Sequence, residues 1–274
     1  MFKINKGKLF SLIKDMYLYM TSILKRNKKI SEELFLFSSG KGQLNRNEFD
    51  VAVGKEISLV HERAKSLPSI SAIYRVKNGA EYIESAILSV APLVTEIIVI
   101  DNGSKDETKS IVAKLKKELR GIVRIEIHDY TIKTVLAGDG YYERVKLNPE
   151  GSLAKFYEYC FSLGTSEYLM KCDAHYVFTL KGLISLQDKL KYSPDVINFS
   201  GCEIYGKELD YEPSLFRRDS GYKFVDKEKW EKLEIPNAES IYVYSPVFLH
   251  VKRLSYVKGI QNSEKNFAEF KYEK

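Results

Sequence analysis

The stretch that most narrows what this chain can fold into is Ile97-Ile98-Val99-Ile100, followed at once by Asp101-Asn102-Gly103-Ser104. Four consecutive β-branched residues lack the alternation of a strand with one wet face. They call for a strand covered on both sides, as in a parallel sheet between helices. The run ends on a carboxylate and a tight-turn sequence. Ligands of open α/β sheets sit beyond the carboxyl ends of strands. Asp101 is therefore a candidate to accept hydrogen bonds from a base or ribose. The alternative is a carboxylate that only caps its own turn, a use to which Asp and Asn are equally suited.

The flanking sequence repeats the alternation of strand and helix. Ile70–Val76 reads as a strand, Glu81–Val90 as a helix with Ile83, Ile87 and Leu88 on one face, and Lys105–Leu119 as a helix with Ile111, Val112, Leu115 and Leu119 inward. Ser104 and Glu107 have the spacing of a capping box at the start of that helix. Val123–His128, Glu167–Cys172 and Ile241–Leu249 read as further strands, and Ser152–Leu163 as a helix. The pattern predicts an α/β domain with a mostly parallel sheet flanked by helices, over residues 69–274, with a boundary near Pro68. Residues 31–68 give no clear pattern beyond a short candidate strand at Leu34–Phe37 and a flexible Ser38–Gly42 turn that lacks phosphate-loop spacing.

Charge separates the first thirty residues from the rest. The chain of 274 residues has a formal net charge of +6, yet residues 1–30 hold eight Lys or Arg against Asp15 alone, so the remainder is nearly neutral. Within that arm Leu9, Ile13, Met16, Met20 and Leu24 recur at helical steps, which predicts a basic amphipathic helical extension. Such a helix suits an anionic membrane surface, or docking on protein. Nucleic acid is not expected as a partner, since no aromatic–basic interleaving or known motif supports it. No long apolar run predicts a membrane span; Ile87–Ile100 is broken by Pro92, Thr95 and Glu96. No signal peptide is read at the N-terminus. Cys160, Cys172 and Cys202 form no metal-like pair, and their odd number fits a reduced cytoplasmic protein.

The segment Ile70-Ser71-Ala72-Ile73-Tyr74-Arg75-Val76-Lys77-Asn78, followed by Glu96 to Thr108 with its Asp101-Asn102-Gly103-Ser104-Lys105-Asp106 core, resembles the opening of a family 2 glycosyltransferase with the GT-A fold, a Rossmann-like α/β architecture. The resemblance is good over about 69–180, loose over 181–255, and does not extend to 1–68. It implies that Asp101 binds the nucleobase of a sugar nucleotide, with Arg75, Val76, Asn78 and Asn102 lining the nucleotide pocket. Members carry Asp-x-Asp after a later strand, and here Lys171-Cys172-Asp173-Ala174-His175 stands in that place. Asp173 would then lie near the ribose and a divalent cation, and His175 departs from the usual second aspartate. An imidazole is a good transition-metal ligand and shifts the preference from Mg²⁺ toward Mn²⁺. His250, at the end of the last strand, would be the third ligand.

The resemblance also implies a general base in the acceptor half. Glu231 is the first candidate and Asp226 the second, in the segment Val225–Leu233 around the only tryptophan, Trp230, which could stack on a sugar. Arg217 and Arg218 are candidates to steady the leaving diphosphate. The implied activity is a metal-dependent hexosyltransferase, inverting, that moves a sugar from a nucleotide sugar, first a UDP-sugar, to a glycan or lipid-linked acceptor. Surface polysaccharide or lipopolysaccharide assembly, at the inner face of a bacterial membrane, would suit it. The competing reading is a GT-A-like domain that binds nucleotide or a partner without turnover.

Overall fold

The structure, a computed structural model, describes residues 46–204 and 208–252. The basic arm at 1–30, the candidate strand at 34–37 and the 38–42 turn lie outside the described residues. The chain divides into two compact units, Met1–Glu56 and Ile57–Lys274. Helix α1 (Arg46–Ala64) occupies part of the region whose sequence gave no pattern. The unit that carries the sheet thus begins ahead of Pro68: Val60 is buried in its core, and the Val60 carbonyl accepts from Gln187 Nε2 at 2.7 Å.

The elements then alternate as the sequence predicts. Strand β1 (Ile70–Val76) leads to α2 (Ile83–Val90), β2 (Glu96–Asp101) to α3 (Thr108–Glu118), and β3 (Arg124–Asp129) to a short α4 (Tyr141–Leu147). After α5 (Leu153–Ser162) come β4 (Tyr168–Cys172), β5 (Tyr176–Phe178), α6 (Leu180–Leu190), β6 (Val196–Glu203) and β7 (Glu212–Arg217). A hairpin of β8 (Lys223–Asp226) and β9 (Glu231–Glu234) precedes the final strand β10 (Ser240–His250). Eight strands form one sheet in the order β3-β2-β1-β4-β7-β6-β10-β5. The pairs β3–β2, β2–β1, β1–β4 and β6–β10 are parallel, whereas β7 runs antiparallel to both neighbours and β5 antiparallel to β10.

Every residue of β2 is buried, as its unbroken apolar run requires. Ile97 and Val99 pack with α2, α3 and α6 on one face; Ile98 and Ile100 pack with α5 and the hairpin on the other. The amino-terminal end of the sheet is closed by polar contacts. Buried Glu96 accepts from the Ser71 hydroxyl, the Arg124 guanidinium and the Thr165 N–H, the last at 3.0 Å.

Two local expectations are corrected. Ser104 and Glu107 do not form a capping box. The helix begins later, at Thr108, whose N–H is accepted by Asp106 Oδ1 at 3.1 Å, while Ser104 Oγ takes the Asn78 N–H at 2.8 Å. Arg217 and Arg218 do not stand at the carboxyl end of β4, where Asp173 lies. Because β7 is antiparallel to β4, Arg217 stands opposite Tyr168, at the start of β4, and Arg218 Nη1 donates to the Thr165 carbonyl at 2.6 Å. That is the sealed end of the sheet. Apolar periodicity reveals a strand but not its direction, so nothing in the Leu215-Phe216-Arg217-Arg218 pattern could distinguish the two ends.

Candidate active site

Asp101 closes β2 with its side chain 1% exposed. Its Oδ2 accepts the N–H groups of Gly103 (3.1 Å) and Ser104 (3.0 Å), a turn that Gly103 permits with φ +74°. Its Oδ1 is buried without a partner. An unpaired buried carboxylate oxygen is costly unless a ligand's donor reaches it. The carboxylate opens on a cleft of about 390 Å³ whose walls include Lys77, Asn102, Lys109 and Tyr130. Lys109 Nζ lies 3.9 Å from Asp101 Oδ2 and 2.7 Å from Asp129 Oδ1.

The β1 loop is sewn to the β2 loop. Asn78, at φ +54°, accepts the Lys105 N–H on Oδ1 at 2.9 Å, and the Val76 carbonyl accepts the Asn102 N–H at 2.8 Å. Of the residues expected to line the nucleotide pocket, Asp101 and Asn102 form walls of this cleft. Val76 is buried, and the Asn78 side-chain oxygen is spent on holding the two loops together.

Arg75 and Asp173 meet one strand over. Ile73 pairs with Lys171 in the parallel β1–β4 register, so two residues further along Arg75 and Asp173 emerge on the same side. Arg75 Nη2 donates to Asp173 Oδ1 at 2.5 Å and to the Cys172 carbonyl at 3.2 Å. The guanidinium lies 4.2 Å from the centroid of the Tyr157 ring on α5, within cation–π range. Burial alone would raise the Asp173 carboxyl; Arg75 outweighs it, helped by His175 and Lys171, and holds it at about 2. Asp173 is therefore an anion at every physiological pH. Arg75 Nε and Nη1 are buried without partners.

Glu231 joins this cluster from the hairpin. Burial raises its carboxyl above the ordinary glutamate value, while Arg75, Lys171 and a hydrogen bond from the Tyr157 hydroxyl pull it back. Asp226 is its cross-strand partner but is occupied differently. Asp226 accepts from Ser152 Oγ at 2.6 Å, from the Ala154 N–H at 3.1 Å and from the Tyr141 hydroxyl. It ties the hairpin to the start of α5 and so sets where Glu231 stands. Trp230, in the hairpin turn, is 55% exposed.

The third group is a carboxylate with two imidazoles. His175 Nε2 lies 3.7 Å from Asp173 Oδ2, and the His175 and His250 rings are 4.5 Å apart. His250 Nδ1 lies 2.9 Å from Glu203 Oε2, but the two atoms are not aligned as a hydrogen bond. Among the described residues no three His, Cys, Asp or Glu side chains form a ready-made cage. The donor types nevertheless suit a transition metal in an open site: one ionised carboxylate and two imidazoles.

Tyr157, Lys171 and Glu203 are the participants that sequence reasoning missed. Lys171 was detectable as the one charge inside the apolar run Tyr168–Cys172. Tyr157 and Glu203 carry no local signal; only the packing of α5 and the β6–β10 register bring them to the site.

Residues 71–130 match the model of glycosyl transferase family 2. No curated protein matches the chain. Among solved structures, it is similar to S. aureus TarS 1-349 at 12% identity and a TM-score of 0.49, over 73% of this chain and 68% of that one. A longer S. aureus TarS structure gives 13% and 0.45, over 73% and 41%. Glucosyl-3-phosphoglycerate synthase from Mycobacterium tuberculosis, in complex with Mn²⁺, UDP and glucosyl-3-phosphoglycerate, gives 19% and 0.35, over 52% and 47%. The chain thus spans less than half the length of the latter two. The matched stretch contains β1, β2 and β3, with the carboxyl-end loops of β1 and β2.

Proposed function

We propose that the protein transfers a hexose from a nucleotide sugar, a UDP-sugar first, to a hydroxyl of a glycan or lipid-linked acceptor, with inversion. The observation that carries this reading is the pair of carboxylates at one end of the sheet, Asp101 after β2 and Asp173 after β4, on either side of β1. Asp101 Oδ1 is an acceptor suited to an N–H of the base, and Asn102 lines the same cleft. Asp173 faces the ribose and diphosphate side. Asp173, His175 and His250 would hold a divalent cation, Mn²⁺ in preference to Mg²⁺, and that ion would neutralise charge on the departing diphosphate.

The chain's own residues supply the rest. Arg75 fixes the Asp173 carboxylate and offers two further N–H groups in a buried site. Glu231, held by Tyr157, takes the proton from the acceptor hydroxyl as that oxygen attacks the anomeric carbon. Asp226 and Tyr141 are positioning residues for the hairpin that carries Glu231. Trp230 offers an aromatic face next to it. The basic arm at 1–30 would keep the enzyme at an anionic membrane surface, as assembly of a surface polysaccharide or lipopolysaccharide on the cytoplasmic side requires.

The test is nucleotide release from a panel of nucleotide sugars with Mn²⁺ and glycan acceptors. Release from a uridine donor that falls by orders of magnitude in Asp173→Ala supports the proposal. Full activity in that variant, or no binding of any donor, overturns it. Donor binding without transfer to any acceptor would favour the turnover-free reading.

A further inference from the structure

A groove of about 920 Å³ is walled by the end of α1, by α3 and by β3. Its floor is apolar: Leu93, Val94, Val123 and Ile125 line it, and each is buried. Leu93 and Val94 precede β2, and Val123 precedes β3. The groove therefore lies toward the amino-terminal end of the sheet, away from Asp101 and Asp173.

The rim carries charge of one sign. His61, Lys65, Lys116, Lys117, Arg120 and Arg124 line the groove, and no carboxylate does. Acids close by in the chain or the sheet are matched to cations. Glu62 binds Lys65 at 2.6 Å, Glu118 lies 3.7 Å from Lys114, and Glu96 and Glu126 hold Arg124. Lys116, Lys117 and Arg120 are exposed and form no ion pair among the described residues. Gly121, at φ +92°, turns the chain out of α3 and leaves Ile122 47% exposed beside Arg120. The carbonyl end of α3 favours lysine in its last turn. That accounts for two cations, but not for an open apolar groove or an exposed isoleucine among them.

We infer that this groove binds an anionic phospholipid, its acyl chain along the Leu93–Ile125 floor and its phosphate among Lys116, Lys117 and Arg120. The site stands apart from the donor cleft and does not depend on the glycosyltransferase reading. Hydrocarbon suits the floor, a phosphate suits the unpaired cations, and an apolar side chain flanked by cations suits a headgroup layer. The volume is that of a small-molecule site. A free inorganic anion would leave the floor uncovered. A second copy seated across a two-fold axis would bring like charges together.

The test is calorimetry of the full-length protein with dioctanoylphosphatidylglycerol below its micelle concentration. Dioctanoylphosphatidylcholine and glycerol 3-phosphate serve as the neutral-lipid and headgroup-only arms. The phosphatidylglycerol should bind about tenfold or more tighter than either. Lys116→Ala/Lys117→Ala/Arg120→Ala should weaken it by about tenfold or more. Ala113→Phe, which fills the groove from an exposed position of α3, should weaken it likewise. Lys117→Arg keeps the charge and should bind as wild type, and thermal unfolding followed by circular dichroism should be unchanged in all three variants. The basic arm is intact throughout, so its own affinity for lipid cannot produce the differences. No binding of phosphatidylglycerol, equal binding of phosphatidylcholine or glycerol 3-phosphate, or unchanged affinity in the triple-alanine or Ala113→Phe variant would overturn the inference. A dimer in sedimentation that Ala113→Phe dissociates would also overturn it, giving the groove to a second copy.

Discussion

Glu231 must lose its proton to act as a base, and burial works against that loss. A base whose value is raised is active above that value and inactive below it. Activity should therefore fall as pH drops through a point above the ordinary glutamate range near 4.3, read as the acid limb of a kcat profile. Glu231→Gln should lower kcat by about 10²–10⁴-fold and abolish that limb. Asp173 behaves in the opposite way. Its value is depressed to about 2 in the folded protein. The Arg75–Asp173 pair hence contributes stability above the unfolded Asp value of about 3.9, and that contribution is lost as pH falls toward 2. In Arg75→Gln the acid-unfolding midpoint, followed by circular dichroism, should move upward.

At the scale of elements, the hairpin β8–β9 depends on one carboxylate. Asp226 joins it to Ser152, Ala154 and Tyr141. Asp226→Ala strands buried donors and should cost about 2–3 kcal/mol, measured by urea denaturation. It should also lower kcat through Glu231 while donor affinity is kept, which separates positioning from nucleotide binding. The elements themselves were largely legible in the sequence. β1 matches its predicted bounds, and β2, α5 and β10 lie within two residues of theirs, because covered strands and capped helices leave dense local patterns. Ser152 does cap α5, accepting the Lys155 N–H at 3.1 Å. Register and direction were not legible. The reversal of β7 removes Arg217 and Arg218 from the site, and the clasp on Asp226 depends on residues more than 70 positions away.

For the whole molecule, one end of the sheet is sealed and the other is open and charged. Glu96 closes the first with Ser71, Arg124 and Thr165. Asp101, Asp173 and Glu231 converge on the second from β2, β4 and the hairpin. Among the described residues no helix is long and apolar enough to cross a membrane. The basic arm was the clearest feature of composition. Deleting residues 1–30 should reduce sedimentation with anionic liposomes and leave donor hydrolysis in solution intact. Unchanged sedimentation would refute the arm's membrane role.

The central claim is that the carboxyl ends of β2 and β4 together hold a nucleotide sugar. A crystal grown with UDP and Mn²⁺, measured at the manganese absorption edge, tests it most directly. The account predicts the base against Asp101 Oδ1 and an anomalous peak at Asp173, His175 and His250. A nucleotide bound elsewhere, or a peak away from Asp173, would contradict it.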